Sequence, residues 1–235
     1  MRRLCWLICL GLIAVSGPAL AQDRLNVVAS FSILGDFVRN VGGDRVNVTT
    51  LVGPNSDAHV YVPTPADAKK VAGAKLVFVN GLGFEGWLSR LVKSAGGKAS
   101  VVTTTTGIAP LTLGSEADPH AWQSVANAKI YVANIRDALA AVAPADAEAF
   151  KSKASAYLAD LDALEREVRE AMAKIPENRR KVISTHNAFG YFAAAYGVEF
   201  IAPLGVSTES EASARDIARI ITQIRTAKIP AVFLE

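Results

Sequence analysis

Apolar residues recur along this chain in two alternating rhythms. Short, nearly continuous apolar runs at 25–29, 46–52, 75–79 and 99–104 read as buried strands. Between them the spacing turns helical. Ile33, Leu34, Phe37, Val38 and Val41 form one face of a helix over 31–41, stopped by Gly42-Gly43. A second helix opens at Thr64-Pro65-Ala66-Asp67, with a capping hydroxyl, proline at the first helical position and a carboxylate at the third. It ends near Gly73, and a third helix over 85–94 is stopped at Gly96-Gly97. Strand following helix in this way predicts a parallel sheet with helices on both faces.

The second half restarts the pattern after a long interruption. A helix over 127–142 is followed by one over 145–175, rich in Ala, Leu, Glu, Lys and Arg and ended by Pro176. Tyr157, Leu158, Leu161, Leu164 and Val168 give it a narrow apolar stripe. About 30 helical residues span roughly 45 Å, long for one small lobe, so the helix reads as a rigid connector. Then come a strand at 181–184, a helix at 187–196, a strand at 198–201, a helix at 211–225 bearing Ile217, Ile220, Ile221 and Ile224, and a strand at 231–235. A parallel strand needs both faces covered, so this half reads as incomplete, with a C-terminal truncation expected. The predicted class is α/β: two lobes, 22–143 and 177–235, each a parallel sheet with flanking helices, joined by the long helix of 144–176.

Composition changes this picture at the N-terminus. Arg2-Arg3, an apolar stretch over 4–15 and Ala19-Leu20-Ala21 before Gln22 make residues 1–21 a cleavable secretory signal. The mature protein is therefore expected in the periplasm. Cys9 follows Leu7-Ile8 and lies early, which favours simple cleavage over lipid attachment. The formal net charge is +3, and the leader removes two arginines and no acid, so the remainder is close to neutral. A nucleic-acid footprint, which needs a clustered basic surface, is not expected. Both cysteines, Cys5 and Cys9, leave with the leader. No disulfide framework or thiolate site remains, and any transition-metal site must use imidazole, carboxylate and water. No later stretch is long and apolar enough to cross a membrane.

Two features carry candidate chemistry. Gly81-Leu82-Gly83-Phe84-Glu85-Gly86 matches G-x-G-x-x-G, but the acid expected about 20 positions on is missing from Val101–Thr106, and the strand before it is not the first of its sheet. A tight turn that lets Phe84 and Trp87 pack is the better reading. The three histidines differ from isolated core histidines because of where they sit. His59 and His186 each follow a strand and precede a helix, and His120 lies in a loop before a helix, after Asp118-Pro119. In open α/β sheets, that edge binds ligands. Their wide separations exclude a zinc finger or an H-E-x-x-H helix and fit a site assembled between lobes. Three neutral imidazoles suit Zn²⁺. Asp57 or Asp118 is placed to orient a histidine, although each acid taken alone reads better as a turn or helix cap.

Four segments together carry a resemblance. Gly53–Pro65 around His59, Asn80–Trp87, Asp118-Pro119-His120-Ala121-Trp122, and the run from Ser184 through His186 to Ala193 resemble the periplasmic metal-binding proteins of ABC transporters, the zinc/manganese solute-binding family. The resemblance covers essentially the whole mature chain. It implies two lobes joined by one long helix, His59, His120 and His186 as metal ligands, and delivery of a divalent metal to a membrane permease by a monomer. Some positions depart from the family pattern. Val62 stands where an acid is common, and 103–117 lacks the histidine-rich loop of many zinc members. His186 stands where manganese and iron members tend to have glutamate, which tilts the expectation to Zn²⁺, with Mn²⁺ or Fe²⁺ as rival. The family's fourth ligand, an aspartate, would fall beyond Glu235, leaving that position to water or Glu209. An exported zinc hydrolase is a rival from another class, but the sequence offers neither H-E-x-x-H nor G-x-S-x-G. Surface adhesion is a third reading that no residue specifies.

Overall fold

The computed structural model describes residues 23–227 and 229–233; the signal expected over 1–21 lies outside them. The chain begins with β1 (Leu25–Phe31), α1 (Ser32–Gly42), β2 (Val46–Val52), α2 (Pro65–Ala72), β3 (Leu76–Val79), α3 (Leu88–Ser94) and β4 (Ser100–Thr103). The four strands form one parallel sheet in the order β2-β1-β3-β4. Its centre is the apolar run of each strand: Val27, Val28, Ala29 and Leu76–Val79 are all buried. The strand order reverses beside β1, so the loops leaving β1, β2 and β3 open on one edge, where a ligand crevice forms in such sheets.

α1 lies close on β2 because two glycines seven residues apart face it. A Cβ at Gly35 would come within 2.5 Å of Thr50 Oγ1, and one at Gly42 within 2.3 Å of Val46 Cγ2. Leu34, Phe37, Val38 and Val41 are buried as expected, but Ile33 is 40% exposed. It sits about 90° of helix rotation from the centre of that face. α2 starts as its sequence predicts. Thr64 Oγ1 accepts from the Asp67 N–H, and Asp67 Oδ2 accepts from the Thr64 N–H. α3 starts three residues later than expected, because Glu85 turns its carboxylate back onto the N–H groups of Asn80 and Gly81.

A short antiparallel hairpin follows, β5 (Thr112–Leu113) and β6 (Glu116–Ala117), then α4 (Val125–Val142) and α5 (Ala147–Ala173). α5 spans about 40 Å at 1.5 Å per residue. It is not a bare connector. Phe150, Ala154 and Leu161 are buried in the same core as α1 and α4. Beyond Leu161 the expected stripe runs out into solvent: Leu164 is 44% exposed. At the stripe's C-terminal end Val168 is half-buried, and Glu165 beside it accepts from the Tyr196 hydroxyl.

The second sheet is parallel, in the order β8-β7-β9, built from β7 (Lys181–Ile183), β8 (Glu199–Ile201) and β9 (Ala231–Val232), with α6 (Gly190–Tyr196) and α7 (Ala214–Ala227) between strands. α6 begins later than its periodicity suggests. Asn187 is held in the loop by its N–H to Gly205 O and its side chain to Leu204 O. α7 begins after Ser213, whose Oγ accepts from the Asp216 N–H. Of the expected α7 face, Ile220 is buried while Ile217 and Ile221 are exposed. Among the described residues no helix is long and apolar enough to cross a membrane.

Candidate metal centre

His59 stands in the loop between β2 and α2. Asp57 Oδ1 accepts its backbone N–H at 2.8 Å, an Asx turn, and Trp87 Nε1 donates to Ala58 O at 2.9 Å. The buried Phe84 ring meets the imidazole edge-on at 4.7 Å between centroids. The glycine-rich turn supplies both aromatics. Gly81, Leu82 and Gly83 all take positive φ, which brings Phe84 and Trp87 inward. This is the packing turn expected in place of a dinucleotide loop.

His120 is the most deeply set of the three, only 2% exposed. Asp118 Oδ1 accepts from its backbone N–H at 2.9 Å and faces its Nδ1 at 2.7 Å. An ionised carboxylate only accepts, so that contact assigns the proton to Nδ1 and leaves a lone pair on Nε2. Asp118 is thus the orienting acid. Asp57 holds the backbone of its loop, and its Oδ2 accepts from Thr208 Oγ1 at 2.5 Å, joining two loops at the rim.

His186 follows β7. Ser184 Oγ donates to its carbonyl at 2.8 Å, and the Asn187 bonds to Gly205 and Leu204 pin the next residue. All three imidazoles converge. His59 Nε2 lies 3.1 Å from His120 Nε2, and His186 Nε2 lies 3.2 Å from it. One ring nitrogen from each lies within 4.8 Å of the others. Zn–N bonds of about 2.0–2.1 Å at tetrahedral angles place nitrogens roughly 3.3 Å apart, so the two short spacings match what a shared tetrahedral ion requires. Phe84 and Trp122 pack against His120 as an apolar wall, and Phe31 packs on both of them. Glu209 is exposed and is not in the cluster.

Beneath His120 lies a polar network that residue spacing does not reveal. Asn80 is fully buried and donates to Pro119 O at 2.8 Å, and the Tyr131 hydroxyl donates to Asn80 Oδ1. Glu85 accepts from Ser30 Oγ and from the Asn80 and Gly81 N–H groups. Burial pushes the Glu85 carboxyl up against those bonds, and burial likewise raises the Tyr131 phenol. Behind the His59 loop, Asp67 accepts from Tyr61, Thr64 and Lys70. Burial opposes its charge, but these bonds win and hold the carboxyl well below the usual carboxylate range, while the Tyr61 phenol is pushed up to about 12 by burial and by Asp67. The only trace of this support in the sequence is the placing of Asn80 and Glu85 in a turn directly after a buried strand.

A family profile described as zinc-uptake complex component A, periplasmic, matches residues 27–235. The chain is 37% identical over 221 residues to the manganese-binding lipoprotein MntA of Halalkalibacterium halodurans, covering 94% of this chain and 74% of that protein. It is 34% identical over 228 residues to the iron-binding protein YfeA of Yersinia pestis, covering 95% and 73%. Among solved structures it is similar to the periplasmic zinc-binding protein TroA of Treponema pallidum, with a TM-score of 0.86 and 33% identity over 90% of this chain and 78% of that one. With a profile match across nearly every described residue, relatives above 30% identity and a shared fold, the chain belongs to the zinc-uptake component A family of periplasmic metal-binding proteins.

Proposed function

We infer that this protein captures Zn²⁺ through His59, His120 and His186 and delivers it to its ABC permease. Membership of the family makes the chain the metal-binding component of an ABC transporter rather than an enzyme. The choice of metal rests on one observation: the described residues gather three imidazoles at zinc-like spacing, with no carboxylate among them. Imidazole suits Zn²⁺, whereas Mn²⁺ prefers carboxylate, carbonyl and water. A water, or a group outside the described residues, completes the fourth position. The apolar wall of Phe84 and Trp122, backed by Phe31, keeps bulk water from His120. Little closure accompanies binding, because α5 is one unbroken helix packed along α4 and α1.

Mn²⁺ or Fe²⁺ is the second reading, favoured by the names of MntA and YfeA. Competition against a chelating indicator separates the two. Zinc affinity should exceed manganese affinity by at least 100-fold, and His120→Ala should abolish zinc binding. Equal affinity for both metals would remove the basis for preferring zinc.

A further inference from the structure

The hairpin that precedes His120 is completed by a residue from the other half of the chain. In its register Thr112 faces Ala117 and Leu113 faces Glu116, so Leu111 faces Asp118 at the base. Asp118 donates its N–H to Leu111 O at 2.8 Å. The reciprocal connection runs through a side chain. The Tyr191 hydroxyl accepts from the Leu111 N–H at 3.0 Å and donates to Asp118 O at 2.9 Å. The hydroxyl thus occupies one rung of the hairpin ladder.

Tyr191 is on the first turn of α6, five residues after His186, and is buried. Its neighbour presses on the same point. A Cβ at Gly190 would stand 2.4 Å from Asp118 Oδ2, so α6 and the Asp118 carboxylate approach as closely as a glycine permits. Asp118 in turn holds His120 Nδ1. A single hydroxyl therefore ties the segment carrying His186 to the loop carrying His120, across 73 residues of sequence.

We propose that Tyr191 is a positioning residue whose hydroxyl sets the separation of His186 and His120 and so slows metal release. This rests on the three-histidine reading. Removing the hydroxyl leaves the ring's packing in place but leaves the half-buried Leu111 N–H and the buried Asp118 O without their bridge, and a buried carbonyl is costly to leave unpaired. α6 and the hairpin then move independently, and the histidine spacing widens.

The test uses the whole chain, stripped of metal by a chelator, as parent, Tyr191→Phe, Gly190→Ala and the control Tyr196→Phe. Tyr196 lies on the same helix, but its hydroxyl donates to Glu165 on α5 and meets the Val125 backbone at the start of α4, bridging neither Leu111 nor Asp118. Two quantities are read: amide exchange at Leu111 without metal, and Zn²⁺ dissociation into excess chelator. The expected result for Tyr191→Phe is Leu111 exchange and Zn²⁺ dissociation both about tenfold faster, with Gly190→Ala also releasing faster and Tyr196→Phe releasing at the parent rate. Zn²⁺ dissociation within twofold of the parent in Tyr191→Phe, whatever Leu111 does, overturns the positioning role. So does equal acceleration in Tyr196→Phe, which would mark a general loosening of α6. A parent chain that binds no Zn²⁺ refutes the functional reading itself, a failure visible before any variant is compared.

Discussion

Replacing Asp118 by asparagine isolates the group that orients His120. Asp118 and His120 are both buried, and one carboxylate oxygen takes both the backbone N–H at 2.9 Å and the Nδ1 proton at 2.7 Å. Asparagine keeps the shape and one acceptor, but it loses the charge that favours a proton on Nδ1. Its NH₂ also offers a donor where the imidazole needs an acceptor. Substitutions of such supporting acids weaken metal binding about 10–100-fold, equivalent to about 1.4–2.7 kcal/mol. Asp118→Ala should be worse at the level of the fold, since a buried Nδ1–H left without a partner costs about 1–3 kcal/mol. The assay is zinc competition against an indicator of known affinity, with thermal melting of the metal-free proteins alongside. Asp118→Asn should lose at least tenfold in affinity while its metal-free melting temperature falls by no more than a few degrees. An affinity within threefold of the parent would show that this bond does not organise the site.

Other predictions follow from the same geometry. Gly42→Ala forces a Cβ against Val46 at 2.3 Å and should destabilise the chain by about 1–3 kcal/mol, read as a lower denaturation midpoint; an unchanged midpoint would mean α1 does not need its close approach to β2. Asp67→Ala removes the α2 capping box and should cost about 0.5–2 kcal/mol at neutral pH. Because the folded Asp67 carboxyl is depressed, its contribution is present above the unfolded value of about 3.9 and is lost progressively as pH falls from there toward the folded one, so the gap between parent and variant melting temperatures should narrow on acidification below about pH 4; a gap that widens contradicts this. Zinc affinity should fall on acidification, since imidazole must be deprotonated to ligate and protons compete with the metal; an affinity that does not change as the solution is made acidic contradicts a three-histidine site.

The elements were legible where local chemistry decides them. Thr64, Pro65 and Asp67 determine the start of α2 within four residues, and the buried runs of β1 and β3 are apolar on both faces. The three histidines were legible as one cluster because His59 and His186 each leave a strand of a different parallel sheet toward a helix, and His120 lies in a loop before another helix. Periodicity was less informative about what covers a face. Leu164 continues the α5 stripe yet meets solvent, and Ile217 and Ile221 do the same on α7. Starts of α3 and α6 moved because Glu85 and Asn187 are drawn away by hydrogen bonds to loops. The supporting network around His120 was illegible for a related reason. Asn80 to Pro119 and Tyr191 to Asp118 are contacts across 39 and 73 residues, and no local pattern marks them.

The most direct test of the central claim is the melting temperature of the metal-stripped chain with and without Zn²⁺ or Mn²⁺, repeated for His120→Ala. A ligand at 100 times its Kd stabilises by about 2.7 kcal/mol, a rise of roughly 5–10 °C for a chain of this size. The account predicts that rise with zinc, little with manganese, and none with either in His120→Ala. An equal or larger rise with manganese, or a zinc response that survives the loss of His120, would contradict it.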